Sequence, residues 1–371
     1  MKTKIENCLA VALLVGSTAV AAQINNYQSV TKELLRSPPS GDWLSWRGTQ
    51  ASWGYSALDQ INSENVGQLQ LVWSWAMDDT VAGEAAPLIH DGVMFLPGPR
   101  GVIQALNAAN GAEIWRENIA SPARSAPTVR AGRVFVTTID NRLFAINAEN
   151  GEGLWTHTGL SEAASLLGSA SPAVGNGVVV VPYTSGELIA LKAETGRLLW
   201  QEGLNSIKRT DVVSNLAHIR GRPVIDRGRV FAISHGGIMG AFDLRNGRRL
   251  WQKEIGGSQS PWVAGDYIFV ITNDAEIAAV SRKTGGIHWV RALPRYKDPD
   301  DQENPIVWTG PILASDRLIA AGSHGEALAI SPYTGRILGS VEFPSGISVP
   351  PIVAGDTVYF LADDADLVAY R

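Results

Sequence analysis

The sequence predicts an all-β protein, a β-propeller of four-stranded blades, seven by repeat count. Three observations predict it. A segment from Pro to Trp recurs with a fixed offset of 28 residues: Pro87 to Trp115, Pro127 to Trp155, Pro172 to Trp200, Pro223 to Trp251 and Pro261 to Trp289. A sixth copy, Pro311 to Gly339, carries Gly at the Trp position, and a seventh begins at Pro351. Successive prolines lie 40, 45, 51, 38, 50 and 40 residues apart, a period that means a propeller or a solenoid. The runs inside each copy are short, β-branched and apolar, with turn residues at their ends. The core unit is therefore rigid, and the variation sits in one loop per copy.

Taken from the N-terminus, residues 1–22 read as a signal peptide. Lys2 and Lys4 are a positive start, Leu9 to Ala22 is apolar and small, and Ala19-Val20-Ala21 fits a cleavage site. The apolar run is too short for a resident membrane helix. Export follows, which in a Gram-negative cell means the periplasm. Residues 23–68 are short of β-rich runs and read as an N-terminal extension. An eighth blade would have to come from them and is the alternative count. Residues 69–371 read as the propeller. The segment Leu69-Gln-Leu-Val-Trp73-Ser-Trp75 has the composition of the Trp strand that the seventh copy lacks. It is expected to complete the last blade and close the ring.

The second copy illustrates the rest. Ala126-Pro-Thr-Val-Arg-Ala-Gly132 is followed by Arg133-Val-Phe-Val, Arg142-Leu-Phe-Ala-Ile-Asn, the turn Ala148-Glu-Asn-Gly151 and the strand around Trp155. Gly151 and its counterparts Gly111, Gly196, Gly247, Gly285 and Gly335 supply the positive φ of a tight turn. Trp73, Trp115, Trp155, Trp200, Trp251 and Trp289 are read as core residues between adjacent blades, each with its N–H reaching a neighbouring carbonyl. Radial packing is what buries both faces of each sheet.

Composition suits one large domain with many turns: 45% of residues are hydrophobic, 18% are charged and 38 are Gly. A net charge of −5 with no basic stripe argues against a nucleic-acid partner. Cys8 is the only cysteine and lies before the apolar run, so the mature chain would have no disulfide, thiolate metal site or cysteine nucleophile. The six histidines form no metal-spaced pair, and no serine elbow or phosphate loop occurs. The acidic runs at 298–304 and 363–366 read as solvated loops rather than calcium sites. No catalytic residue and no metal ligand is assigned.

The signature Ala105-Leu-Asn-Ala-Ala-Asn-Gly111-Ala-Glu-Ile-Trp115 resembles the pyrroloquinoline quinone (PQQ) repeat. Two families share that repeat. Residues 42–115 resemble the N-terminal region of the PQQ-dependent alcohol dehydrogenases, through Asp42-Trp43-Leu-Ser-Trp, Tyr55-Ser-Ala-Leu58-Asp-Gln60-Ile61-Asn62 and Glu84-Ala-Ala-Pro87. That resemblance implies that Glu84 would contact a quinone, with calcium beside it. The two adjacent cysteines, the calcium-binding segment and the catalytic Asp of those enzymes have no match here. From about residue 116 the chain resembles BamB, the propeller subunit of the outer-membrane β-barrel assembly machinery. The matching stretches include Arg222-Pro-Val-Ile-Asp-Arg-Gly-Arg-Val-Phe-Ala and Asp364-Ala-Asp-Leu-Val-Ala-Tyr-Arg371. This resemblance implies a non-catalytic scaffold without a cofactor. Its partner would be the barrel-inserting subunit, and it would sit at the outer membrane as a monomer within a hetero-complex. The implied partner-binding residues are Leu166, Leu167 and Gly168. The lipid-anchoring motif usual in that family is absent. A PQQ- and calcium-dependent dehydrogenase remains the alternative.

Overall fold

The computed structural model describes residues 24, 27–45, 48, 56, 58–61, 65, 68–76, 86–98, 100–123, 125–160, 170–204, 218–354 and 357–371. The expected signal peptide lies outside them. Among these residues there are seven sheets of successive antiparallel strands. Six have four strands: Leu88–Asn118, Thr128–Thr158, Ala173–Gly203, Val224–Lys253, Trp262–Ala292 and Trp308–Glu342. The seventh, Ile352–Tyr370, has three. These are blades one to seven. A two-stranded hairpin, Tyr296–Asp298 with Glu303–Pro305, sits between blades five and six. The acidic run at 298–304 is thus the exposed tip of a hairpin rather than an irregular loop.

In each blade the first strand faces the middle of the molecule and the fourth faces solvent. The middle strands are continuous apolar runs, such as Val178–Pro182, buried on both faces because each sheet is sandwiched by its neighbours. The outer strands alternate in exposure, as in Gly153–Thr158.

The repeat signature has a geometric reading at every position. Its first Ala stands opposite the Trp across the third and fourth strands: Ala105 and Trp115, Ala145 and Trp155, Ala190 and Trp200, Ala241 and Trp251, Ala279 and Trp289. The ladder slips register directly after this Ala in all six four-stranded blades, which turns the edge of the fourth strand toward the next blade. There the indole N–H donates to a carbonyl three residues past the neighbour's own signature Ala. The bonds from Trp115 to Ala148, Trp200 to Leu244 and Trp289 to Pro332 measure 3.0, 2.9 and 2.9 Å. The ring face then lies on the neighbour's turn Gly. At Gly151 a Cβ would stand 2.7 Å from the Trp115 ring, so φ of +78° is only part of what excludes a side chain. The turn itself is closed from the Gly151 N–H to the Asn147 carbonyl at 2.9 Å, a wider loop than a two-residue hairpin turn.

Ring closure differs from expectation. Trp73 docks as the blade tryptophans do, with its N–H 3.1 Å from the Ala108 carbonyl and its ring on Gly111. Residues 69–76, however, join no described ladder, and Leu71 and Val72 are 84% and 81% exposed. The last strand of blade seven, Leu367–Tyr370, therefore pairs with Thr357–Leu361 on one side and with no described strand on the other. A docked indole fixes a position but not a strand register, which needs a row of backbone bonds.

The described part of the N-terminal extension packs into the same core as blades one and two. Ile24, Val30, Leu35 and Leu44 are buried there. Trp43 exchanges both backbone bonds with Ile89 on the innermost strand of blade one, at 2.7 and 3.1 Å. His90 is buried and bonded at both ring nitrogens, to the Asp42 carboxylate at 2.8 Å and the Gln28 carbonyl at 2.6 Å. The short helix Lys32–Arg36, capped by the Thr31 hydroxyl, lies over the inner strand of blade two.

Candidate functional site

The loops that vary in length all precede an inner-strand proline, so they gather on one face. Glu84, Leu166, Leu167 and Gly168, expected from sequence to contact a quinone or a partner, lie outside the described residues. What the structure does describe is how the loop carrying Leu166 is held. Its first stem residue, Leu160, is bonded twice: its N–H to Glu187 at 2.8 Å and its carbonyl to the Asn141 carboxamide at 2.6 Å. Asn141 and Glu187 are themselves buried and further bonded, to Thr184 and to Ser185 and Gln201. At the far stem the Ala170 carbonyl accepts from Thr137, which is tied to Ser125. The described residues at both ends of the loop, Leu160 and Ala170, are thus hydrogen-bonded to the blades. Leu160 itself is 62% exposed, an apolar side chain next to the loop that strand patterning did not single out.

Further round the face, the loops before blades four and five interlock. Gly221 approaches the Gln259 carbonyl so closely that a Cβ would stand 2.5 Å away. The Arg222 N–H donates to Ser260 Oγ at 3.0 Å, and the His235 N–H to the His218 carbonyl at 2.9 Å. Trp308 ties the base of the 296–305 hairpin through its bond to the Pro294 carbonyl at 2.8 Å. Leu160 and Val307, each 62% exposed, are apolar side chains left on this face. Behind it, the inner strands of blades two to six enclose a channel of about 600 Å³ lined mostly by apolar side chains.

His218 is 1% exposed, and its Nδ1 meets no hydrogen-bond partner. Burial, then the charges of Arg220 and His235, push its pKa down to about 4. An unfolded histidine takes up its proton near pH 6.5, whereas this one stays neutral until far lower. Lowering the pH from 7 to 5 therefore favours the unfolded chain, by about 2 kcal/mol from this group, and the loss levels off below pH 4. Urea unfolding at the two pH values should show that difference shrinking by the same amount in His218→Gln.

Among the described residues no three His, Cys, Asp or Glu groups come together as a metal site. His324 pairs with Glu326 at 3.2 Å and His157 stacks on Tyr183, but neither adjoins a nucleophile in the described bonds. Cys8 is the only cysteine in the sequence, so no pair of adjacent cysteines is present.

Comparison with known proteins decides the family. The model of the family described as outer membrane protein assembly factor BamB matches residues 63–291. The chain belongs to the BamB family. It is 23% identical over 298 residues to the BamB of Moranella endobia, covering 80% of this chain and 64% of that one, so the match spans less than two thirds of that relative. A BamB crystal structure from Moraxella catarrhalis superposes with a TM-score of 0.65 at 20% identity, over 76% of this chain and 82% of the other, and shares the fold. A quinohemoprotein alcohol dehydrogenase of Pseudomonas putida is 39% identical over 111 residues, 29% of this chain and 16% of the enzyme. This BamB family member thus carries both resemblances seen in its residues, that to BamB over far more of its length. Among the described residues no helix is long and apolar enough to cross a membrane.

Proposed function

We propose that this chain is a non-catalytic periplasmic scaffold of the outer-membrane β-barrel assembly machinery. It binds the barrel-inserting subunit through the loop 161–169 and its stem. Family membership supports the machinery. The observation that carries the mode of action is Leu160, held exposed at the start of that loop by its bonds to Asn141 and Glu187. Preorganised apolar anchors reduce the ordering cost of binding. No cofactor is needed for this role.

The test is a pull-down with the periplasmic domains of the barrel-inserting subunit. Wild type should retain them, and Leu166→Glu and Leu160→Glu should each weaken binding at least tenfold with the circular dichroism spectrum unchanged. Failure of wild type to bind would refute the proposal. The 39% identity over 111 residues to a quinohemoprotein dehydrogenase favours a second reading, a quinoprotein oxidising alcohols. Here Glu84 would sit beside PQQ and calcium. Retention of PQQ through gel filtration, with dye reduction by ethanol, would replace the scaffold by the enzyme.

A further inference from the structure

One end of the channel is lined by the residues that precede the inner-strand prolines. In the other repeats this position holds Ala, Ala, Ser, Ser, Gly and Pro; in the fourth it holds Arg222. Arg222 is half-buried, and the surface it keeps opens on the channel. Its backbone N–H is bonded to Ser260, but no described residue accepts a hydrogen bond from its side chain or forms an ion pair with it. Burial alone pushes its pKa down to about 10. An uncompensated cation in such a place costs stability.

The neighbouring polar groups offer donors. Ser260 Oγ already accepts from Arg222, so its own O–H is left to donate, and no described acceptor takes it. The Gln259 carboxamide makes no described bond either, and both residues line the same channel. Of the other charged residues that line the channel, Arg36 on the short helix is exposed to solvent. Asp226 is paired with Arg282. Arg130, whose Nη1 is without a partner, stands three residues past its proline rather than one before, and Glu33 on the short helix offsets its charge. At roughly 3.3 Å per residue along the strand direction, the two arginine levels are separated by about 13 Å.

We propose that this end of the channel is a binding site for a small organic monocarboxylate. Arg222 takes the carboxylate with its fork of N–H groups, and the Ser260 hydroxyl and Gln259 amide complete the donor set. The body of the ligand lies against Pro261, Trp262, Ile312 and Leu313. A single carboxylate matches the one guanidinium fork at the level before the prolines, and the apolar side chains beside it suit an organic body better than a bare anion. The channel volume is within the range of small-molecule sites.

Phenylacetate is the probe, with phenylacetamide as its uncharged match and sodium sulfate as a bare anion, each titrated into the full-length protein by calorimetry. Phenylacetate should bind saturably at one site. The amide and sulfate should bind at least tenfold more weakly. Arg222→Gln should lose at least tenfold in phenylacetate affinity while melting at a higher temperature than wild type, since it removes the unpaired charge. Arg222→Lys, which keeps the charge and loses the fork, should fall between. Equal binding of the amide or of sulfate would overturn the proposal. So would undiminished affinity in Arg222→Gln, or no saturable binding of phenylacetate or any straight-chain carboxylate up to octanoate. If the glutamine variant does not fold, the wild-type comparison and Ser260→Ala, expected to weaken binding several-fold, decide the matter.

Discussion

Replacing Trp115 by alanine is expected to destabilise the protein by about 4 kcal/mol, within the range of large-to-small substitutions at fully buried aromatics. Trp115 is 2% exposed and packs against Phe95 at a centroid distance of 6.0 Å. Its removal leaves a cavity between blades one and two, where both sheets are built around the ring. It also strips the Ala148 carbonyl of its indole donor in a residue that is fully buried. Trp115→Phe should separate the two effects, costing about 1 to 2 kcal/mol for the lost donor and the smaller ring. The same change at Trp289, which is only half-buried, should cost less. The midpoint of urea unfolding measures each. A loss under about 1 kcal/mol for Trp115→Ala would mean that the interblade indole is not a main source of cohesion.

Gly151→Ala is expected to cost about 3 kcal/mol by adding one methyl group, through two separable causes. The φ of +78° is unfavourable for any side chain, at about 1 to 2 kcal/mol. The methyl would also stand 2.7 Å from Cε3 and 2.8 Å from Cδ2 of Trp115, a buried ring on a residue paired with Ala105. The ring or the turn has to shift, and the Ala148 bond shifts with it. The double variant isolates the clash: with Trp115 already alanine, the added methyl meets open space and only the backbone strain remains. The combined loss should fall short of the sum of the single losses by about 1 to 2 kcal/mol. Additivity would place the whole effect in the turn.

These two residues show what a repeat pattern carries. The Pro-to-Trp spacing recurs in five copies and the turn Gly in six, and repetition makes these local signals legible: one blade cannot bury its faces alone, so the same solution recurs. That part of the reading needed no tertiary information beyond the rule that sheets must be covered. The pairing of Gly151 with Trp115 is different. The two belong to different copies, 36 positions apart in the chain, and only the packing of blade on blade shows that the Gly serves a neighbour's ring as well as its own turn.

Closure of the ring was read from composition, and composition identifies a docking side chain better than a ladder. Trp73 docks as its neighbours' pattern suggests, whereas the backbone of 69–76 joins no described strand. The functional residues were the least legible. Leu160 looks like the end of an ordinary outer strand until Asn141 and Glu187 are seen to hold it in place. His218 looks like a polar loop residue until its burial and the nearby Arg220 and His235 appear.

By itself, then, the sequence determined the blade, the number of copies and the family resemblance, because these follow from short-range periodicity and from the demand that apolar sheet faces be covered. Only the tertiary structure decided which loop residues share a face, which of them are hydrogen-bonded to the blades, and that Arg222 stands in a channel with no described counter-charge. Those are relations between residues from different blades. Burial, charge compensation and hydrogen-bond satisfaction depend on what the folded chain brings near, and no local pattern records it.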